Sequence, residues 1–222
     1  MFKRLGNVLK REILLSSRQF GFTAQLFIFL VIGIVLFAMG FNQASDAIRE
    51  SVPALLWFLI LLATTLVASS WFRDDYDNGW LAQWVMCDIP LSLLILVKQF
   101  FAWIQVLVTL ILFIPLSNIM LNIEYEKPLL AYASFAIGTA ILVQITSVTA
   151  VLSLLIGRSS VLHSIVTLPL TIPVLIFGAE INRAALDASS NANVVWFLMA
   201  IAAFVWSIGP WTTATALRMS LE

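Results

Sequence analysis

Side chains that commonly catalyse reactions or hold metal ions are scarce in this sequence of 222 residues. It contains one histidine, His163, and one cysteine, Cys87. A single cysteine excludes an internal disulfide and a cysteine-based metal cluster, and a single histidine excludes a multi-histidine metal site. The sequence also lacks the G-x-x-x-x-G-K-[ST] loop that binds nucleotide phosphates. We therefore expect a non-catalytic chain that holds no cofactor or metal and does not hydrolyse ATP itself.

The composition indicates that this chain is surrounded by lipid. Hydrophobic residues make up 61% of the sequence and charged residues 11%, and the mean hydropathy is +1.01. Soluble domains are about half apolar and about a quarter charged, so a soluble interior could not hold the excess of apolar side chains. The net charge is zero, which gives no reason to expect a nucleic-acid partner. The sequence thus predicts an integral membrane protein that moves, binds or scaffolds.

Six apolar runs are long enough to be membrane-spanning helices, which need ~20 mostly apolar residues. None of the runs contains Asp, Glu, Lys or Arg. Helices are predicted because a helix pairs its backbone polar groups internally, as lipid requires. The predicted fold is all-α, a single transmembrane domain with six spans. The runs are residues 22–41, 52–72, 100–121, 129–156, 161–178 and 194–217.

Residues 1–20 are predicted to form an N-terminal helix in the membrane interface. Apolar side chains recur at intervals of three and four residues from Phe2 to Ile13, with Lys and Arg between them. A basic amphipathic helix of this kind lies in the headgroup region of the inner leaflet. We therefore expect this segment to contact membrane lipid.

The connection between the second and third runs, residues 73–92, is predicted to be a cytoplasmic segment that contacts a partner. It begins with the charged residues Arg73, Asp74 and Asp75, and Gly79 belongs to a turn or helix-entry signal. A charged entry of this kind suits the groups around a docking groove, so these residues are candidates for partner contact.

Aromatic residues follow in the same segment. Tyr76, Trp80 and Trp84 are spaced four residues apart, which predicts that they share one helix face, and Pro90 ends the segment. Such a face can insert into a groove of another protein or rest on lipid headgroups. The pattern leaves both interpretations open.

Two prolines lie four residues apart in the fifth run, at Pro169 and Pro173. Proline cannot donate the backbone hydrogen bond to the carbonyl four residues earlier. The pair predicts a bent or broken fifth helix, and the two prolines are candidate hinge residues.

Three stretches of the sequence carry a family resemblance. The first is W-F-R-D-D at residues 71–75, with Pro90 and Lys98 following it. The second is L-P-L-T-I-P-V-L-I-F at residues 168–177, and the third is G-P-W-T-T-A-T-A-L-R at residues 209–218. Together with the length and the six spans, these stretches resemble the haem exporter protein B (CcmB) family.

The resemblance implies a type-two ABC permease fold in which a short cytoplasmic coupling helix docks into a separate ATPase subunit. It also implies three further partners: a haem-handling membrane protein, a small single-span protein and a periplasmic haem chaperone. The complex would supply haem, its substrate, for c-type cytochrome biogenesis at the bacterial inner membrane, with ATP used by the partner subunit. From the charged entry and aromatic spacing of this segment, together with the resemblance, we expect the ATPase-coupling residues to be Arg73, Asp74, Asp75, Tyr76, Gly79, Trp80 and Trp84.

Two other functions fit the same architecture. One is a permease for another hydrophobic substrate, such as a lipid or a drug, and the other is a non-transporting membrane scaffold. Co-purification with an ATPase would separate the scaffold from the transporter, and the neighbouring genes would separate haem from other cargo. The sequence also leaves open whether haem passes through this subunit.

The distribution of Lys and Arg predicts the orientation in the membrane. With a cytoplasmic N-terminus, nine of these residues lie on the cytoplasmic side and three on the opposite side. Both termini and the segment of residues 73–92 are then cytoplasmic.

This orientation can be measured with cysteines placed in a Cys87→Ser background. We expect a membrane-impermeant maleimide to label Asn78→Cys in inverted vesicles but not in intact cells, because residue 78 lies on the cytoplasmic side. Lys127→Cys, on the opposite side, should show the reverse pattern. Strong labelling of Asn78→Cys from outside would invert the proposed topology.

Overall fold

The computed structural model describes residues 20–40, 46–80, 84, 89–155, 160–186 and 193–221. Six helices in it are long and apolar enough to cross a membrane. The predictions of an all-α fold and of six spans are confirmed, so the chain is a multi-pass membrane protein. The helices are α1 (Phe20–Gly40), α2 (Asp46–Asp77), α3 (Leu91–Leu121), α4 (Pro128–Leu155), α5 (Ser160–Leu186) and α6 (Asn193–Leu221).

Several helices extend beyond the apolar runs that predicted them. α2 continues to Asp77, past the end of its run, and α3 begins at Leu91, before the start of its run. α5 continues to Leu186 and includes the exposed i,i+3 pair of Arg183 and Glu180, whose charged atoms lie 3.3 Å apart. Hydropathy misses the polar ends of α2 and α5, and it misses the apolar start of α3 because Lys98 interrupts that run. The interfacial helix predicted for residues 1–20 falls outside the described residues, apart from the backbone of Phe20.

Successive helices run in opposite directions, so the bundle has two distinct ends. Gln99, near the start of α3, donates a hydrogen bond to Thr213, near the end of α6, over 3.2 Å. Ser134, near the start of α4, donates to Asn182, near the end of α5, over 3.1 Å. We call the end that carries the connection from α2 to α3 the proximal end, and the opposite end the distal end.

Helix α4 is the centre of the bundle and packs against α2, α3, α5 and α6. Two tryptophan side chains attach neighbouring helices to it. The indole of Trp103 in α3 donates to the carbonyl of Ala136 over 3.1 Å, and the indole of Trp206 in α6 donates to the carbonyl of Ala140 over 3.2 Å. The two carbonyls lie one helical turn apart on α4, so α3 and α6 are held side by side.

The two prolines of α5 lie inside a continuous helix that runs from Ser160 to Leu186. The expectation of a bent or broken helix at Pro169 and Pro173 is therefore wrong as to a break, and a bend stays a prediction. A hydroxyl–hydroxyl contact of 2.7 Å between Thr149 of α4 and Thr167 of α5 fixes α5 to the central helix just before the prolines. The role of the prolines as a hinge stays a prediction.

Close helix packing surrounds the fully buried indole of Trp57 in α2. Its ring stacks on Phe135 with centroids 5.3 Å apart. A Cβ atom added to Gly138 of α4 would lie 2.1 Å from this ring, and one added to Gly178 of α5 would lie 2.3 Å from it. Both positions therefore require glycine, and small residues at such interfaces are what lets membrane helices approach closely.

We expect Gly138→Ala to destabilise the bundle, because the rigid indole of Trp57 has no space into which to move. Overpacking of this kind typically costs about 1–3 kcal/mol. Gly40→Ala is the matched control, since no atom lies within 4 Å of a Cβ at that position. Thermal unfolding of the purified chain in detergent measures the difference. Equal melting temperatures for the two variants would contradict the packing described for Trp57.

Candidate functional site

The connection between α2 and α3 begins with a tight turn at the proximal end. The side-chain amide of Asn78 donates to the carbonyl of Asp74 over 2.6 Å, which caps the end of α2. Gly79 follows with a φ of +71°, a conformation that glycine adopts without steric cost. Helix α3 starts directly after Pro90, and proline is well tolerated where a helix begins. Local residue chemistry therefore sets where α2 ends and where α3 begins.

A buried ion pair joins these two helices beneath the turn. Lys98 of α3 donates a hydrogen bond to the carboxylate of Asp75 in α2. The two side chains are only 8% and 7% exposed. Removing a charge from water costs several kcal/mol, so each of these groups depends on the other as its counter-charge.

Two aromatic rings cover the ammonium group of Lys98. Its Nζ lies 5.7 Å from the ring centroid of Phe72 and 5.7 Å from that of Trp84. Each cation–π contact contributes about 0.5–2 kcal/mol, and the rings also keep water from the ion pair. We call Phe72, Asp75, Trp84 and Lys98 the lysine cluster. It holds the connection against α3, because Trp84 lies within the connection and Lys98 lies on the helix.

The predicted aromatic face is wrong in its geometry. Tyr76 lies in the last turn of α2, and the turn at Gly79 separates it from Trp80. Tyr76 and Trp80 are each 41% exposed, whereas Trp84 is only 6% exposed. Trp84 therefore points inward, towards Lys98, and does not share an exposed surface with the other two.

The three charged residues that begin the predicted segment also differ in their exposure to solvent. Asp75, predicted to lie with Arg73 and Asp74, is buried in the lysine cluster. Phe72 and Asp75 are three residues apart, so they lie on the same face of the helix, which points inward. Arg73 and Asp74 lie between them in the chain, point away from that face and are exposed. We call Arg73, Asp74, Tyr76 and Trp80 the exposed patch.

Sequence reasoning included Lys98 among the family-like residues but did not identify its partner. The two charged groups are 23 residues apart in the chain, and their contact depends on how α3 lies against α2. One signal was present in the sequence. A lysine next to a long apolar run needs a counter-charge if it is buried. The carboxylates that precede it most closely in the chain are Asp74, Asp75, Asp77 and Asp88, and spacing alone does not select Asp75 among them.

The lysine cluster is suited to holding α2 and α3 together. It pairs one cation with one anion and covers the cation with aromatic rings. Among the described residues, no three His, Cys, Asp or Glu side chains lie together in a way that could hold a metal ion.

The sequence matches a known family along nearly its full length. Residues 3–220 match the family described as CcmB protein. This chain belongs to the CcmB family. Three bacterial proteins named heme exporter protein B are similar to it. The protein from Pseudomonas aeruginosa is 30% identical, covering 96% of each chain. That from Haemophilus influenzae is 27% identical over 97% of each, and that from Escherichia coli is 28% identical over 87% of this chain and 88% of its own.

Family membership confirms the resemblance. The structure shows where its three stretches lie in the bundle. Residues 71–75 and Lys98 supply most of the lysine cluster of this CcmB chain. Residues 209–218 lie in the proximal part of α6, next to the start of α3. Residues 168–177 form the middle of α5. Two of the three stretches therefore lie in the proximal part of the bundle.

We expect Lys98→Met and Asp75→Leu each to destabilise the chain, because each removes one half of a buried ion pair and leaves the other charge buried. The expected cost is about 3–5 kcal/mol for either single variant. The double variant should recover most of that loss, since it removes both charges. Thermal unfolding in detergent measures all three.

A matched control is the exposed pair of Arg183 and Glu180, where Arg183→Met should cost less than about 1 kcal/mol. If the double variant in the lysine cluster loses as much as the two single variants added together, Asp75 and Lys98 are not energetically coupled.

Proposed function

We propose that this chain is the membrane permease subunit of an ABC-type haem exporter complex. The complex supplies haem to a periplasmic haem chaperone for c-type cytochrome biogenesis. The observation that carries this proposal is the CcmB family match over residues 3–220. The relatives named heme exporter protein B support it, since they align with at least 87% of the chain. Haem is the substrate of the complex, and the chain itself is not an enzyme.

In this proposal the energy comes from a separate cytoplasmic ATPase subunit. The sequence supports this division of labour because it has no nucleotide-binding loop. The permease then couples ATP hydrolysis to haem export or to release of the loaded chaperone. A haem-handling membrane protein and a small single-span protein complete the assembly.

The proximal end is the cytoplasmic end in this proposal, and the membrane is the bacterial inner membrane. The excess of Lys and Arg on that side supports the orientation. The ATPase can then reach the exposed patch, and the distal end faces the periplasm, where the chaperone is.

The exposed patch is the proposed contact for the ATPase. It combines one positive and one negative side chain, Arg73 and Asp74, with the two half-exposed aromatic rings of Tyr76 and Trp80. Aromatic and arginine side chains commonly carry most of the energy of a protein–protein contact. The turn at Gly79 presents Trp80 beyond the end of α2, where a groove on a partner could enclose it.

The lysine cluster is the proposed means by which movement of the patch reaches the membrane helices. Three residues of the patch, Arg73, Asp74 and Tyr76, share the last turns of α2 with Asp75, and Trp80 follows them directly after the turn at Gly79. The ion pair with Lys98 ties these turns to α3. A force on Trp80 is therefore transmitted to two spans at once. Trp84 adds a second attachment, because it joins the connection to the same lysine.

We expect Trp80→Ala to weaken binding of the ATPase while leaving membrane insertion intact. Loss of a central aromatic anchor typically costs about 2 kcal/mol or more, roughly thirtyfold in affinity. Co-purification of the ATPase with the tagged variant measures binding, and haem staining of c-type cytochromes measures function. The matched control is Trp196→Ala, which removes an exposed tryptophan at the distal end of α6.

Normal recovery of the ATPase with Trp80→Ala would place the docking surface elsewhere, and the ring would then rest on lipid headgroups. Normal cytochrome staining in cells that lack this chain altogether would reject the haem function itself. The two results are independent of each other.

A further inference from the structure

Polar side chains from α3, α4 and α6 meet inside the membrane-spanning bundle, away from the lysine cluster. Gln99, Gln144 and Ser147 are all fully buried. Four of their polar atoms have no hydrogen-bond partner among the described residues: Oε1 of Gln99, both Nε2 and Oε1 of Gln144, and Oγ of Ser147. Buried polar atoms are nearly always paired with protein or water, so four orphaned atoms in one region require an explanation.

One stretch of α6 brings these side chains together. Gln99 donates to Thr213, and Thr213 donates to the carbonyl of Gly209 over 2.8 Å. Gln144 lies against the same glycine, since a Cβ atom at Gly209 would be 2.4 Å from its Oε1. Ser147 is three residues beyond Gln144 on α4, and residues at this spacing lie on the same side of a helix. Gln99 and Gln144 therefore both lie against the same stretch of α6, and Ser147 lies one helical turn from Gln144 on α4.

The backbone of α6 adds a further acceptor at this level. Pro210 lies inside the helix and has no amide hydrogen, so the carbonyl of Trp206 loses its usual donor within the helix. In membrane helices, carbonyls freed by proline are paired by neighbouring side chains or by ordered water.

The chemistry of the set identifies the class of ligand. The free groups are amide and hydroxyl donors and acceptors, and Asp, Glu, Lys and Arg are absent from this set. Two acceptors such as Oε1 of Gln99 and Oε1 of Gln144 cannot bond to each other, but a molecule that donates twice can bridge them. Water donates two hydrogen bonds and accepts two, and buried waters typically make about three such bonds to otherwise unpaired groups.

We propose that Gln99, Gln144 and Ser147 form an intramembrane water-binding site between α3, α4 and α6. The site reaches the middle of the membrane. Gln144 lies eleven residues before Leu155, the proximal end of α4, which is about 16 Å at the rise of an α-helix. That is roughly half of a hydrocarbon core about 30 Å thick.

A thiol exchange experiment on the complete chain in membrane vesicles tests the site. Ser147→Cys and Val143→Cys are each made in a Cys87→Ser background and transferred into D2O, and the S–H stretching band is followed by infrared spectroscopy. A thiol proton exchanges for deuterium where water contacts it, so no reagent larger than water has to reach the site. We expect Ser147→Cys to exchange several-fold faster than Val143→Cys, whose position is also fully buried on α4 but within the apolar core. Equal, slow exchange of the two would overturn the proposal.

A second variant, Gln144→Leu, gives an independent measurement by thermal unfolding. If water occupies the site, leucine removes the groups of Gln144 that bond to that water. Gln99 and Ser147 then lose the water as their partner, so the melting temperature falls. If the site is dry, leucine removes two unpaired polar atoms from the interior and the melting temperature rises, which would contradict the proposal. Neither experiment involves haem or the ATPase, so this inference stands or fails separately from the proposed function.

Discussion

Lipid offers no hydrogen bonds, so a polar group inside this bundle is costly unless it finds a partner within the protein or in bound water. This constraint makes the six spans helical, because a helix satisfies its own backbone. It also governs the side chains. The indoles of Trp103 and Trp206 donate to carbonyls of α4, and Thr149 pairs with Thr167. These bonds give an apolar bundle a defined arrangement, since apolar surface alone does not favour one helix neighbour over lipid.

The same constraint explains why the lysine cluster is compact. A single buried charge at the end of a span is costly, but Asp75 and Lys98 neutralise each other, and Phe72 and Trp84 cover the pair. A buried ion pair of this kind contributes little net stability compared with apolar residues of the same volume. Its effect here is on geometry, because it fixes the position of the connection relative to α3.

Proximity of the exposed patch to the lysine cluster suits a subunit that responds to a soluble partner. The outer face of the last turns of α2 carries Arg73, Asp74 and Tyr76, and the inner face carries Phe72 and Asp75. One short piece of helix therefore faces solvent on one side and holds a membrane helix on the other. In our proposal, binding of the ATPase to the outer face of this piece of helix displaces α2 and α3.

The sequence by itself determined the helical spans. The number of apolar residues in a span follows from the thickness of the bilayer, so a span can be recognised without knowing which helices pack against it. It also determined the family, through stretches such as residues 71–75 and 168–177. Only the tertiary structure decided which side of each helix faces inward. Spacing alone placed Trp84 with Tyr76 and Trp80, and Asp75 with Asp74. The partner of Asp75 is 23 residues away, and so its burial depends on how α2 and α3 pack. Local pattern contains no information about that contact, for the same reason that it did not reveal Trp57 between Gly138 and Gly178.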